Sequence, residues 1–252
     1  MSSVRPGLLL LQVTTAAGLV VTARAVLGHP PPLPWALGCL GGYLALVVVG
    51  SVRPRLQMWA SLRQPPPDTP ALALALDAGP LADHTLEAAR QLRLRQAHAT
   101  FFVLGEHAAE HPDVLLALLK QGHEIGVRGL SDDRWLALRT PARQRRELAR
   151  AVEAIERACH QRPALLRAPS ELVTPRLALV AADLGLELVA ADIRADDADP
   201  ARRLGRLLPA VRRGAVLALT EGPGAVAALP GLLDAAAERG LAVRSVSGLL
   251  GG

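Results

Sequence analysis

Residues Leu72 to Asp133 read LALALDAGPLADHTLEAARQLRLRQAHATFFVLGEHAAEHPDVLLALLKQGHEIGVRGLSDD, and this stretch decides the architecture. An apolar run of strand length, Ala71 to Leu76, is stopped by Gly79 and Pro80, which leaves the Asp77 carboxylate at the strand's C-terminal tip. Leu86, Ala89 and Leu92 recur at helical spacing, so a helix is expected to enter through Thr85. A second strand is expected over Ala99 to Leu104, then a helix opened by Pro112 and running to Gln121, then a third strand over Glu124 to Val127. Strands alternating with helices at this spacing build parallel βα units.

The alternation continues towards the C-terminus. Pro141 to Cys159 is expected to form a long helix with Leu148, Val152 and Ile155 on its apolar face and Arg143, Arg145, Arg146 and Arg150 on its solvated side. Further strands are expected at Leu165-Leu166, Leu186 to Ala190, Ala215 to Leu219 and Leu241 to Val246. Helices are expected from Thr174-Pro175, with the threonine as cap, and over Val226 to Arg239. That makes seven strands. Asp192, Asp196, Asp197 and Asp199 read as a solvated turn, and Asp132-Asp133 before Trp135 read either as a helix cap or, for Asp132, as part of a site.

Ahead of this domain, Gly7 to Leu27 and Leu33 to Val52 are apolar runs that each approach the ~20 residues needed to span a bilayer. Gly28-His29-Pro30-Pro31-Pro32 is a turn between them, and a cleaved signal peptide is the competing reading of the first run. Arg5 precedes the first run and Arg53, Arg55 and Arg63 follow the second, against Arg24 and His29 near the turn. The positive-inside rule then places both ends, and the globular domain, in the cytoplasm at a membrane of the bacterial inner type. Residues 1–60 are thus expected to be a membrane anchor, 61–70 a stiff linker around Gln64-Pro65-Pro66-Pro67-Asp68, and 71–252 the globular domain. The 28 Lys and Arg against 23 Asp and Glu are dispersed over helices, which favours a solvated surface. Nucleic-acid binding would cluster that charge and interleave aromatics. Cys39 and Cys159 make neither a disulfide framework nor a metal-ligand spacing.

His98-Ala99-Thr100-Phe101-Phe102-Val103-Leu104-Gly105-Glu106, His111-Pro112 and Gly122-His123-Glu124-Ile125-Gly126 stand in the order and spacing of a known family. From about Ala71 onward the chain resembles the polysaccharide deacetylases of the NodB-homology, carbohydrate-esterase type. The resemblance implies an α/β fold, an irregular (β/α)7-type barrel with its site at the C-terminal ends of the strands. It also implies metal-dependent N-deacetylation, the hydrolysis of a carbon–nitrogen bond in carbohydrate or cell-envelope metabolism. Asp77 falls on the family's catalytic base, and Arg167, in Arg167-Ala168-Pro169, on the arginine that orients it. The remaining positions have changed. Ala78 stands where the family has a ligand aspartate, Arg128 and Asp132 where it has two ligand histidines, and Thr220, followed by Glu221, where it has the histidine that protonates the leaving amine. Ala191 stands at a usual tryptophan. A guanidinium offers no lone pair to a cation, and threonine exchanges no proton near neutral pH. No metal cofactor is therefore expected, although the family uses a divalent metal such as zinc.

Asp77, Arg128, Asp132, Arg167, Thr220 and Glu221 are expected to converge on one pocket, with Arg128 bridging Asp77 and Asp132 in place of the metal. His84, His98, His107 and His111 read as loop or helix-surface residues, and His123 and Glu124 as framework. Two functions compete. One is a pseudoenzyme that binds a glycan or lipid-linked sugar or supports a partner enzyme. The other is an active hydrolase of N-acetyl bonds on an amino sugar, using Asp77 as base and either Arg128 or a metal held by Asp77, Asp132 and Glu221 as electrophile. A metal supplies an acidified water and a Lewis acid together, which an arginine does not, so the pseudoenzyme is the expectation. With only 2% aromatic residues, and Trp135 alone placed to stack on a sugar, a short or lipid-linked sugar fits better than a polymer.

Overall fold

The computed structural model describes residues 6–28, 32–52, 69–77 and 82–251. Two helices, α1 (Pro6–Val26) and α2 (Leu33–Val52), precede an all-parallel α/β domain. Its strands are β1 (Ala71–Asp77), β2 (Thr100–Leu104), β3 (Glu124–Gly129), β4 (Leu165–Leu166), β5 (Glu187–Leu188), β6 (Ile193–Ala195), β7 (Val216–Thr220) and β8 (Ala242–Arg244). They lie in the order β5-β4-β3-β2-β1-β7-β6, with β8 beside β1. Helices α3 (Ala82–Leu94), α4 (Gly105–Glu110), α5 (Pro112–Lys120), α6 (Pro141–Cys159), α7 (Pro175–Asp183), α8 (Pro200–Leu207), α9 (Pro223–Glu238) and α10 (Val246–Leu250) fill the connections.

β1 is the centre of the sheet. Along one edge it pairs with β7; the other edge is shared by β8 at its N-terminal half and β2 at its C-terminal half. Successive side chains of a strand face opposite ways, and the alternation Leu-Ala-Leu-Ala-Leu-Asp uses this directly. Leu72, Leu74 and Leu76 join the large core beneath the helices, whereas Ala71, Ala73 and Ala75 line a smaller inner cluster with Phe102, Leu165, Val216 and Ala218. Small inner residues leave room for the Phe102 ring. A Cβ on Gly126 would come within 2.6 Å of that ring, which is why glycine closes the Gly-His-Glu-Ile-Gly motif. Strand parity and register then put Asp77, Arg128, Arg167, Arg194 and Thr220 on the same inner side, within a residue of the C-terminal ends of β1, β3, β4, β6 and β7.

The opposite rim is held by framework residues. Thr100 donates its hydroxyl to Glu124 at 2.6 Å and accepts the Val246 N–H at 2.8 Å, and Glu124 also accepts the Ser247 N–H at 3.2 Å. The last helix is thereby fastened under the strands. His123 is buried, accepts the Ala99 N–H on Nδ1 at 3.3 Å and meets the Phe101 ring edge-on.

Several expectations are corrected. Among the described residues there are eight strands rather than seven. The added one, β6, lies inside the Asp-rich stretch that reads as a solvated turn, and among the described residues no pairing joins β5 to β6, so the sheet is a curled half-barrel. Within that stretch Asp192 accepts the Val216 N–H at 2.8 Å and Asp199 caps α8. α3 begins at Ala82, so Thr85 sits inside its first turn and does not open it. The final strand ends at Arg244 because Ser245 caps α10. α6 runs over Pro141–Cys159 as expected, with Leu148, Val152 and Ile155 buried. Ala78, Gly79 and Pro80, the proline-rich linker around Pro65–Pro67, and Arg5, His29, Arg53, Arg55 and Arg63 lie outside the described residues. Of the two expected spans, Leu33–Ser51 is long and apolar enough to cross a membrane by length and composition, with a mean hydropathy of 1.8.

Candidate functional site

Asp77 ends β1 on the inner side of the sheet and is 2% exposed. Arg167 follows β4 and is equally buried; its Nε donates to Asp77 Oδ1 at 2.8 Å, and one terminal nitrogen donates to Glu171, four residues further along the same loop. The planar guanidinium thus bridges a buried carboxylate and one at the surface, a geometry that a lysine's point charge would not reproduce. The register makes Asp77 the neighbour of Thr220 on β7, and the Glu221 N–H donates to the Asp77 carbonyl at 3.0 Å.

A second guanidinium reaches the same carboxylate. Arg194, at the middle of β6, has Nε 4.0 Å from Asp77 Oδ2 and 4.0 Å from Asp196 Oδ2, and its NH2 donates to the Thr220 hydroxyl at 3.3 Å. The two oxygens of Asp77 therefore face two arginines, Arg167 on one side and Arg194 on the other. Arg203, also buried, donates to the Thr220 carbonyl at 2.6 Å and to the Asp197 carbonyl at 2.7 Å, tying α8 to the end of β7. Burial lowers the Arg203 pKa, and the nearby Asp197 and Asp196 oppose that shift.

Other expected members lie apart. Arg128 makes no ion pair with Asp77; its NH2 pairs with Asp132 Oδ1 at 3.3 Å, and the Asp132 side chain is 56% exposed. The expected bridge from Asp77 through Arg128 to Asp132 is replaced by Arg194. The reason is local: Asp132 lies three residues beyond the end of β3 and draws the Arg128 head outwards. Neither Asp132 nor Asp133 caps a helix: the short 3-10 turn Leu136–Leu138 has Trp135 at its N-cap with no side-chain bond, and Asp133 instead holds the turn that leads into it. Asp133 accepts the Trp135 N–H at 2.9 Å and pairs with Arg139 at 2.9 Å, and the hydrogen bond from Arg139 holds its carboxyl below the usual range. Glu221 takes the Thr85 hydroxyl of α3, away from Asp132. Asp77, Glu221 and Asp132 are thus engaged with three different partners and do not form one ligand set.

Arg194, Glu171, Thr85 and Arg203 are the residues that sequence reasoning missed. Arg194 had one usable signal. Ile193-Arg194-Ala195 alternates as a short strand does, with Ile193 paired to Leu217 and Ala195 to Leu219, but the four surrounding aspartates mask the pattern.

A curled parallel sheet with its polar cluster at the C-terminal rim, a buried Asp–Arg pair at its centre and the His123-Glu124 framework at the opposite rim defines a deacetylase-type α/β domain. The polysaccharide deacetylase family model matches residues 64–189, half of the chain. The chain belongs to that family. Among curated relatives it is 30% identical over 158 residues to a chitooligosaccharide deacetylase of a Bradyrhizobium strain, covering 61% of this chain and 72% of that protein. It is 32% identical over 104 residues to the Bacillus subtilis peptidoglycan-N-acetylmuramic acid deacetylase PdaC, covering 41% of this chain but only 22% of that protein. A CE4 family pseudoenzyme from Bacillus anthracis shares the fold, with TM-score 0.69 and 18% identity over 73% of this chain and 66% of that one. A mutant of that pseudoenzyme, described as having restored enzymatic activity, superposes with TM-score 0.68.

Deacetylases of this family use a divalent metal, and the side chains described here do not suit one. Two of the expected ligand positions carry an arginine and the aspartate paired with it, and Arg194 brings a further cation to within 4.0 Å of Asp77. Among the described residues no group of three His, Cys, Asp or Glu side chains is placed to hold a metal ion.

Proposed function

We propose that this is a membrane-anchored, deacetylase-like protein of carbohydrate or cell-envelope metabolism that works without a metal, as a pseudoenzyme binding an amino-sugar glycan or lipid-linked sugar or supporting a partner enzyme. The observation that carries the proposal is the pair of guanidiniums on Asp77. A general base must reach the water it activates, and this carboxylate is buried with Arg167 on one oxygen and Arg194 facing the other. Thr220, which donates no proton near neutral pH, lies under Arg194 where the resemblance would place the catalytic histidine. α1 and α2 are the proposed anchor, with the domain on the cytoplasmic side. Catalytic loss is proposed for this chain itself and does not rest on the pseudoenzyme among its structural neighbours.

The test is elemental analysis of the purified full-length chain together with a deacetylation assay on N-acetylated sugars. The expected result is no stoichiometric zinc or cobalt and no acetate release; about one tightly held transition ion per chain with acetate release would overturn the reading. The site also predicts what repair requires. Ala78→Asp with Arg128→His, Asp132→His and Thr220→His restores the expected ligands and acid but leaves Arg194 in place. Zinc should bind the fourfold variant weakly and bind tightly only when Arg194→Ala is added, as read by calorimetry. Equal zinc affinity with and without Arg194 would remove that residue's role as resident cation.

A further inference from the structure

α2 ends against the rim of the sheet that carries the site. Ser51, the last residue of the apolar stretch Leu33–Ser51, is buried, and its carbonyl accepts the Val173 N–H at 3.1 Å. One turn earlier, Val47 packs on the core of the domain. Val173 belongs to the loop from β4 to α7, the same loop whose Glu171 pairs with Arg167. One loop and one side chain therefore separate the end of α2 from Asp77. Thr174, in that loop, donates its hydroxyl to the Ala137 carbonyl at 3.0 Å and so fixes the turn containing Trp135 and Leu138 beside it. Trp135 is 63% exposed, Leu138 nearly as much, and Arg134 and Arg176 are exposed on the same rim.

Exposed tryptophan and leucine interspersed with arginines suit the headgroup layer of a bilayer, where an amphipathic ring and a cation both find partners. The chain path agrees. β1 starts at the opposite rim, and a seven-residue strand is roughly 23 Å long. Residues 52–70 are long enough to cover that height more than twice over at ~3.3 Å per residue, so the domain need not hang from its first strand.

We infer that the C-terminal rim of the sheet faces the bilayer, with Trp135 and Leu138 at the headgroup layer, and that the site takes a sugar head group held at the membrane surface by its lipid. This rests on the membrane-anchor reading above, and the test separates the two. The full-length chain is placed in nanodiscs as two single-tryptophan proteins, one keeping Trp35 of α2 (Trp59→Phe, Trp135→Phe) and one keeping Trp135 (Trp35→Phe, Trp59→Phe). The lipids are brominated on the acyl carbons nearest the headgroups. A loss of emission from both tryptophans is expected. Loss at Trp35 with full emission retained at Trp135 would leave the anchor standing and overturn the orientation. Full emission from both would overturn the anchor, and the orientation with it.

Discussion

The two rims of the sheet are built by opposite rules. At the N-terminal rim Thr100, His123 and Glu124 are neutral or hydrogen-bonded, and each fastens one piece of chain to another: Glu124 and Thr100 hold the start of α10, and His123 holds β2 against α5. At the C-terminal rim Asp77, Arg167, Glu171 and Arg194 form a chain of charges with no backbone segment to secure beyond their own. The first rim keeps the residues expected of the family, and the second changes most of them. A rim whose groups fasten no distant backbone can exchange them without losing the shape of the fold, provided each buried charge keeps a partner, which is why the fold alone does not report the reaction.

The charged rim should be the more costly to break. Arg167→Ala would leave the Asp77 carboxylate buried beside an empty space, and losing one partner of a buried pair costs about 3–5 kcal/mol. Urea denaturation near neutral pH should show that loss, and Arg167→Met combined with Asp77→Leu should recover most of it. A loss below about 1 kcal/mol would mean that the pair behaves as a surface ion pair, and the contrast between the rims would disappear. The framework rim responds to acid. Burial, with a smaller contribution from His98, pushes the His123 pKa down to about 4 from the ordinary 6.5. Between those values the unfolded chain binds the proton and the folded chain does not. Stability therefore falls as pH drops from 6.5 towards 4, by up to about 3 kcal/mol. His123→Gln, whose amide oxygen can still accept the Ala99 N–H, should flatten that slope; an unchanged slope would assign the acid sensitivity elsewhere. Smaller again, Gly126→Ala should cost about 1–3 kcal/mol through overpacking against Phe102 and leave the acid slope alone.

Much of this was legible in the sequence because it depends on short periodicities. The Leu-Ala alternation of β1 and the apolar face of α6 follow from spacing, and the Asp77–Arg167 pair is what the family resemblance of the surrounding motifs implies. Three features were not. β6 is three residues long and embedded in aspartates, so composition outweighed its alternation. Thr85 resembled a helix cap because hydroxyl residues often are, whereas its partner, Glu221, comes from 136 residues further along the chain. The resemblance puts Arg128 at a ligand position, and charge balance favours a bridge from Asp77 to Asp132, but the direction its side chain takes from β3 to the exposed Asp132 alone is a tertiary fact.

The finest test of the contrast is which arginine senses Asp77. Arg194 Nε lies 4.0 Å from Asp77 Oδ2, and two unit charges at that distance attract by about 4 kcal/mol at an effective dielectric of 20. Solvent and the competing Asp196 carboxylate, also 4.0 Å away, should screen most of this, leaving a coupling of about 1 kcal/mol. Arg128 has its ion pair with Asp132, whose side chain is mostly in water, and should show no coupling to Asp77. Two double-mutant cycles read by urea denaturation separate these cases, Asp77→Asn with Arg194→Met and Asp77→Asn with Arg128→Met. Single losses do not suffice, because each arginine also covers apolar surface with its stem. Coupling in the first cycle and none in the second would assign the resident cation to β6. The reverse pattern would return it to Arg128 and to the bridge first expected from the sequence.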